Sequence, residues 1–178
     1  MRVIGGEFRS RRLKSIPGAA TRPTPDRMRE TLFDILAFRL EGAVFLDAYA
    51  GTGAVGIEAL SRGAARAIFL ESNRAAAEVI RENLAALGLA ARAVVFQVPA
   101  APALGHQRAD IVFLDPPYGL AREYDAALEA LAGNPPPLAV AQHSVRLELN
   151  PAYGPLRRTR TLRQGDNALS FYAPAEPA

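Results

Sequence analysis

Four short apolar runs, each stopped by an acid or a breaker and separated by helix-period segments, leave this chain very few folds. Ala43-Val44-Phe45-Leu46 stops at Asp47, Arg66 to Leu70 at Glu71, Ala93 to Val98 at Pro99, and Asp110 to Leu114 at Asp115. Between them, Ala54 to Ser61 reads as a helix halted near Gly63, and Arg74 to Leu87 as a helix closed by Gly88. Tyr124 to Leu131 reads as another helix, and Leu138 to Ala141 as a fifth strand after the breaker Gly133-Asn134-Pro135-Pro136-Pro137. Alternation of this kind calls for a mostly parallel sheet with helices on both faces.

The remaining segments fit around that core. Arg157 to Tyr172 suggests two more strands meeting at Gly165-Asp166-Asn167, which brings the sheet to seven, with the chain frayed from Ala173. Pro99-Ala100-Ala101-Pro102-Ala103 reads as a loop over the sheet edge. At the front, Thr24 reads as an N-cap with Pro25 at the first helical position. Met28, Leu32, Ile35 and Leu36 then recur at helical spacing to about Leu40, with Arg27 and Arg29 off the apolar stripe. Residues 1–23 read as a small basic extension, hairpin-like, ahead of a domain at 24–178.

Composition narrows the function classes. The chain has 178 residues, no apolar run near the ~20 needed to cross a bilayer and no signal-peptide core, so a cytoplasmic protein without a membrane partner is expected. It has no cysteine, which excludes disulfides and thiolate metal sites. His106 and His143 are far apart and expected in loops or at the surface, so no metal is expected either. The net charge of +3 hides an uneven distribution: residues 1–29 hold eight basic and two acidic side chains, or +6, leaving −3 for the rest. A basic arm on a mildly acidic body fits a polyanionic partner.

Two motifs carry chemistry. The loop Asp47-Ala48-Tyr49-Ala50-Gly51-Thr52-Gly53-Ala54-Val55-Gly56 satisfies the generic G-x-G-x-x-G pattern, with Glu71 twenty residues after Gly51. Such a loop brings the backbone close to a nucleoside, and the acid can accept from the ribose hydroxyls. Alone it would serve a dinucleotide or S-adenosylmethionine (SAM), and a tight turn uses glycine anyway. Asp47 favours SAM, since a carboxylate there repels pyrophosphate and complements an ammonium and a sulfonium.

The second motif is Asp115-Pro116-Pro117-Tyr118, reached directly from Ile111-Val112-Phe113-Leu114. The two prolines stiffen the backbone and remove two N–H donors, leaving a ledge with one carboxylate, free carbonyls and a flat ring. Such a ledge can hold a planar base by an exocyclic amine while the ring stacks on its face. A plain turn after a core strand is the simpler reading of the tetrapeptide by itself.

With these residues assembled, the chain resembles the RsmD family of 16S rRNA guanine-N2 methyltransferases. The resemblance runs from Arg2-Val3-Ile4-Gly5-Gly6 and Arg9 through Leu13, over Thr21-Arg22-Pro23-Thr24 and Arg27 to Phe33, to the loop at Asp47 and the segment Gly56 to Gly63. It continues at Glu71 and Asp115–Tyr118 and closes with Gly165-Asp166-Asn167-Ala168-Leu169-Ser170-Phe171-Tyr172. It implies a Rossmann-like class I SAM-dependent methyltransferase fold (α/β) and transfer of a methyl group to guanine N2, with guanine 966 the family's target. The partner implied is rRNA, free or in an assembled or assembling small ribosomal subunit. The ledge is shared with DNA-adenine N6- and protein-glutamine N5-methyltransferases, which stay open as alternatives, as does a catalytically dead RNA-binding scaffold.

The resemblance assigns Asp115, Pro116, Pro117 and Tyr118 to catalysis. Asp47, Tyr49, Gly51, Gly53, Glu71, Ser72, Gln97 and Val98 are expected to bind SAM, although Gln97-Val98-Pro99 stands where many such enzymes carry an acid for the adenine amine. Arg9, Arg11, Arg12, Lys14, Arg22, Arg27 and Arg29 are expected to grip RNA phosphates.

Overall fold

The computed structural model describes residues 1–16, 24–117 and 120–176. After an N-terminal arm come helix α1 (Asp26–Leu40), strand β1 (Val44–Asp47), α2 (Ala54–Ser61), β2 (Arg66–Leu70), α3 (Arg74–Ala86) and β3 (Ala93–Phe96). Then follow α4 (Ala100–Leu104), β4 (Ile111–Leu114), α5 (Ala121–Ala132), β5 (Leu138–Ser144), β6 (Ala152–Tyr153), β7 (Leu156–Gln164) and β8 (Asn167–Pro174). All strands join one sheet in the order β3-β2-β1-β4-β5-β8-β7-β6. The first five are parallel and β6, β7 and β8 pair antiparallel, so a parallel core carries a C-terminal hairpin.

Apolar side chains divide the sheet cleanly. Phe45, Phe113, Val140 and Leu169 point to one face, where α1 covers them with Met28, Leu32, Phe33, Leu36 and Leu40. On that same face Ala67 and Phe69 meet Ile57 and Leu60 of α2 and Ile80 and Leu84 of α3. Leu46, Leu70, Val112, Leu114 and Ala141 point the other way, onto Ala100 and Leu104 of α4 and Tyr124, Leu128 and Leu131 of α5. Fully burying each large side chain of α1 contributes about 2 kcal/mol, so packing holds that helix more firmly than its capping does.

Several expectations need correction. Among the described residues the sheet has eight strands, not seven, because Ala152 and Tyr153 pair with Arg157 and Leu156. Two residues carry no period, so that strand left no mark in the pattern. Pro99 to Ala103 is not a loop; α4 begins at Ala100, with Pro102 inside the first turn, where a missing N–H costs nothing. Ala100 and Leu104, four apart, bury its inner side. Thr24 does not cap α1: Pro25 takes the cap position without a side-chain hydrogen bond, and the Thr24 hydroxyl goes elsewhere. His143 is neither looped nor at the surface. It lies in β5, buried, with Nε2 2.8 Å from Ser170 Oγ. The C-terminal strand runs on through Ala173 to Pro174, because Leu156 and Arg157 pair with that end.

The arm folds back on α2 and α3. Arg2 bridges Arg12, while Val3 and Leu13 enter the cluster of Ile57, Ile80 and Leu84. Glu58, fully buried on α2, accepts from the N–H groups of Ile4 at 2.9 Å and Gly5 at 2.7 Å and pairs with Arg62 at 2.8 Å. No helix among the described residues is long and apolar enough to cross a membrane.

Candidate active site

Pleating puts every second residue of a strand on one face, and here that rule aligns four polar side chains. Asp47 pairs in register with Phe69 and Phe113, so Asp115 and Glu71, each two residues further on, share its face. Gln142 stands one past Ala141, the partner of Leu114, and completes the row. With adjacent strands about 4.8 Å apart, the row Glu71–Asp47–Asp115–Gln142 spans about 14 Å along the C-terminal edge. That edge is where open α/β sheets take ligands.

The glycine loop fixes the middle of the row. Gly53 caps α2 with φ of 81°, a left-handed conformation that a side chain resists. Gly56 lies so close to β2 that a Cβ would stand 2.3 Å from the Phe69 ring. This contact seats the N-terminus of α2 on the sheet, and the Gly56 N–H then donates to Asp47 Oδ2 at 2.9 Å. The carboxylate thus occupies the helix N-terminus where a dinucleotide would set its pyrophosphate. A cationic nucleoside fits that arrangement and a phosphate does not. Gly51 opens onto space with nothing within 4 Å of a built Cβ, and its N–H donates to Glu71 Oε2 at 2.8 Å.

The two central acids share an environment. Asp47 is 1% exposed, and burial pushes its carboxyl up to about 7, opposed by the Gly56 N–H and reinforced by Asp115 and Glu71. Asp115 is half-buried, and desolvation raises it to about 7 as well, opposed by the Thr24 hydroxyl. Both therefore change charge near neutrality, as groups at reactive sites often do. An incoming cation would favour the carboxylate forms.

The other expected cofactor residues surround the row. Tyr49 donates from its hydroxyl to Glu123 Oε2 at 2.9 Å, tying the loop after β1 to α5, and burial together with that acceptor raises its pKa. The Glu71 N–H donates to the Phe96 carbonyl at 3.1 Å, which brings Gln97 and Val98 beside Glu71. Gln97 and Ser72 are exposed there and Val98 is half-buried. On the ledge Pro116 is buried and Pro117 exposed, and no described N–H donates to the Pro116 carbonyl. Tyr118 lies outside the described residues.

The basic residues behave unequally. Arg9, Arg11, Arg12 and Arg27 are exposed. Lys14 is exposed too, in a surface ion pair with Glu82 at 2.8 Å. Arg22 lies outside the described residues. Arg29 does not face solvent or a phosphate: it is 1% exposed, and Nη2 donates to the Arg2 carbonyl at 2.8 Å and to Asp26 Oδ1 at 2.9 Å. It pins the arm to α1. Asn83 donates to the carbonyls of both Lys14 and Thr52, so the end of the arm is one side chain from the glycine loop.

Three side chains escaped the sequence reading. Thr24 Oγ1 donates to Asp115 Oδ2, Gln142 Nε2 donates to the same atom, and Glu58 anchors the arm. Gln142 could have been noticed as an amide directly after an apolar run, the position Asp115 holds on β4. Nothing local marks the other two.

Comparison with known proteins shows the chain's family and fold. A family profile described as "Conserved hypothetical protein 95" matches residues 1–173. YlbH of Bacillus subtilis, provisionally named an rRNA methyltransferase, is 35% identical over 97% of this chain and 98% of its own. The ribosomal RNA small subunit methyltransferase D of Escherichia coli is 44% identical over 72% of this chain and 67% of its own. The structure of yhhF from Escherichia coli, provisionally named a methyltransferase, superposes with a TM-score of 0.84 at 34% identity, covering 99% of each chain. Structures of the same fold below 25% identity hold S-adenosylmethionine or S-adenosylhomocysteine.

Proposed function

This chain belongs to the RsmD and YlbH family of SAM-dependent rRNA methyltransferases, and from that premise we propose that it methylates the exocyclic N2 amine of a guanine in small-subunit rRNA. The observation that carries the reading is the row of Glu71, Asp47 and Asp115 on one face of the strand ends, beside a glycine loop closed to pyrophosphate. SAM supplies an electrophilic methyl group on a sulfonium. Asp47 and Glu71, with the Gly51–Gly53 loop, Tyr49, Ser72, Gln97 and Val98, would hold that donor across the first three strands.

On the substrate side, Asp115 and the Pro116 carbonyl accept from the N2 hydrogens, Pro117 stiffens the ledge, and the role of stacking on the base is assigned to Tyr118. This turns the nitrogen lone pair toward the methyl carbon. The N–C bond forms as the C–S bond breaks, and the amine loses a proton. A carboxylate raised to about 7 by burial can take that proton directly. Most of the acceleration then comes from alignment of the two reactants in a site with little water.

Arg9, Arg11, Arg12, Lys14, Arg22 and Arg27 supply the phosphate contacts; the buried Arg29 acts only by holding the arm. The decisive experiment transfers a tritiated methyl group onto naked rRNA, small subunits, DNA and protein, paired with nucleoside analysis of small-subunit RNA from cells with and without the gene. Label in N2-methylguanosine of small-subunit RNA, lost in the deletion, supports the reading. Label in N6-methyladenine of DNA or in glutamine of protein would overturn it, and no transfer with SAM bound would mark a dead scaffold.

A further inference from the structure

Among the described residues two side chains donate to Asp115, and both go to one oxygen. Thr24 Oγ1 donates to Oδ2 at 3.2 Å and Gln142 Nε2 donates to Oδ2 at 3.4 Å, from positions 91 and 27 residues away in the chain. No described residue donates to Oδ1. Among the described residues the carboxylate is therefore held through one oxygen only.

Gln142 is an odd choice for its place. It is 4% exposed, pairs in register with Leu169, and leaves Oε1 buried without a partner. The Tyr124 hydroxyl, 2.7 Å from the Gln142 carbonyl, fixes the main chain there without help from the amide. A methionine would fill the same space and strand no acceptor, so the amide weakens the fold relative to an apolar side chain. What it gives in return is one hydrogen bond, to Asp115.

We propose that Gln142 and Thr24 are positioning residues of the methyl transfer, jointly fixing the Asp115 carboxylate so that Oδ1 is the atom presented to the substrate amine. The inference rests on the reading of Asp115 as the acceptor of that amine. A neutral donor on Oδ2 favours the ionised carboxylate, as the Thr24 hydroxyl does here against desolvation; the charged groups facing this acid are Asp47 on β1 and, one strand further on, Glu71. Gln142 on β5 and Thr24 ahead of α1 bring donors without charge, so they can orient the acid without neutralising it.

The test measures the pH dependence of methyl transfer onto the RNA substrate by Thr24→Val, Gln142→Met and Gln142→Glu variants of the full chain, with SAM affinity measured alongside. Each of the first two should keep SAM binding within about twofold and lose about tenfold in kcat at unchanged KM for RNA, with the acidic limb of the profile moved up by about one pH unit. Gln142→Glu should move that limb further, since a second carboxylate opposes ionisation of the first. A normal rate and profile in both Thr24→Val and Gln142→Met overturns the inference. So does a lower rate with an unmoved limb, which indicates packing alone. Should Gln142→Met fail to fold, Thr24→Val, at the half-buried end of the contact, decides by the same criteria. The two levels separate: full activity in Asp115→Ala removes the parent reading, whereas an inactive Asp115→Ala beside normal Thr24→Val and Gln142→Met removes only this inference.

Discussion

The strand-end row and the N-terminal arm hold opposite charges in opposite ways. In the row the side chains themselves are fixed: Asp47 by the Gly56 N–H, Glu71 by those of Gly51 and Asn73, Asp115 by Thr24 and Gln142. In the arm it is the backbone that is fixed, through Glu58, Ser61 and Asn83, while Arg9 and Arg12 stay exposed and make no ion pair with a described residue. The difference matches the chemistry proposed for each. One atom must be aligned to within a bond length at the row, and burial there strengthens every charge. A phosphate chain needs only positive charge at roughly the right height, and solvated arginines supply it without desolvation.

The sharpest break in that comparison is Asp115→Ala. Methyl transfer should fall by about a thousandfold while SAM affinity stays within about twofold, read by single-turnover transfer and calorimetry. An equal loss in both would mean that Asp115 belongs to the donor site instead.

Next in size is the arm. Replacing Arg9, Arg11 and Arg12 together by alanine should weaken RNA binding about ten- to a hundredfold and reduce the slope of log K against log salt by about 2. The rate at saturating RNA should hold. If affinity stays the same across a salt series, the arm does not touch the nucleic acid.

The row should also respond to pH where the arm does not. Asp47 and Asp115 sit near 7 in the folded chain, above the ordinary carboxylate range near 4. The folded protein therefore keeps those protons better than the unfolded chain, and this stabilising contribution, fully present below about 4, is lost as pH rises to about 7. A cationic donor prefers the carboxylates, so SAM affinity should rise about tenfold between pH 6 and 7.5 and then level off, with the slope removed in Asp47→Asn. Flat affinity across that range would mean that SAM does not contact Asp47.

The smallest effect is expected at Lys14. Its pair with Glu82 is exposed at both ends, so Lys14→Ala should change unfolding free energy by less than about 0.5 kcal/mol in a denaturant titration. A larger loss would show that the arm is held by side-chain charge after all.

Much of the site was legible because its signals are local. An apolar run stopped by an acid, at Asp47, Glu71 and Asp115, states burial and strand end in adjacent letters, and the loop at Gly51 to Gly56 states a tight turn. The helix at Ala100 was hidden because Pro102 reads as a breaker unless the helix start is already known. Arg29 looked like a surface cation because its neighbour Arg27 is one; only the arm lying across α1 explains its burial.

What the amino-acid order settled by itself, then, is the alternation of strand and helix and the chemical character of the strand ends, since period and adjacency are properties of neighbours along a chain. Folding in three dimensions decided which oxygen of Asp115 is held and by whom. Thr24 and Gln142 come from distant parts of the chain, and they meet only because a five-stranded parallel core sets β4 beside β5 and brings the start of α1 over their ends.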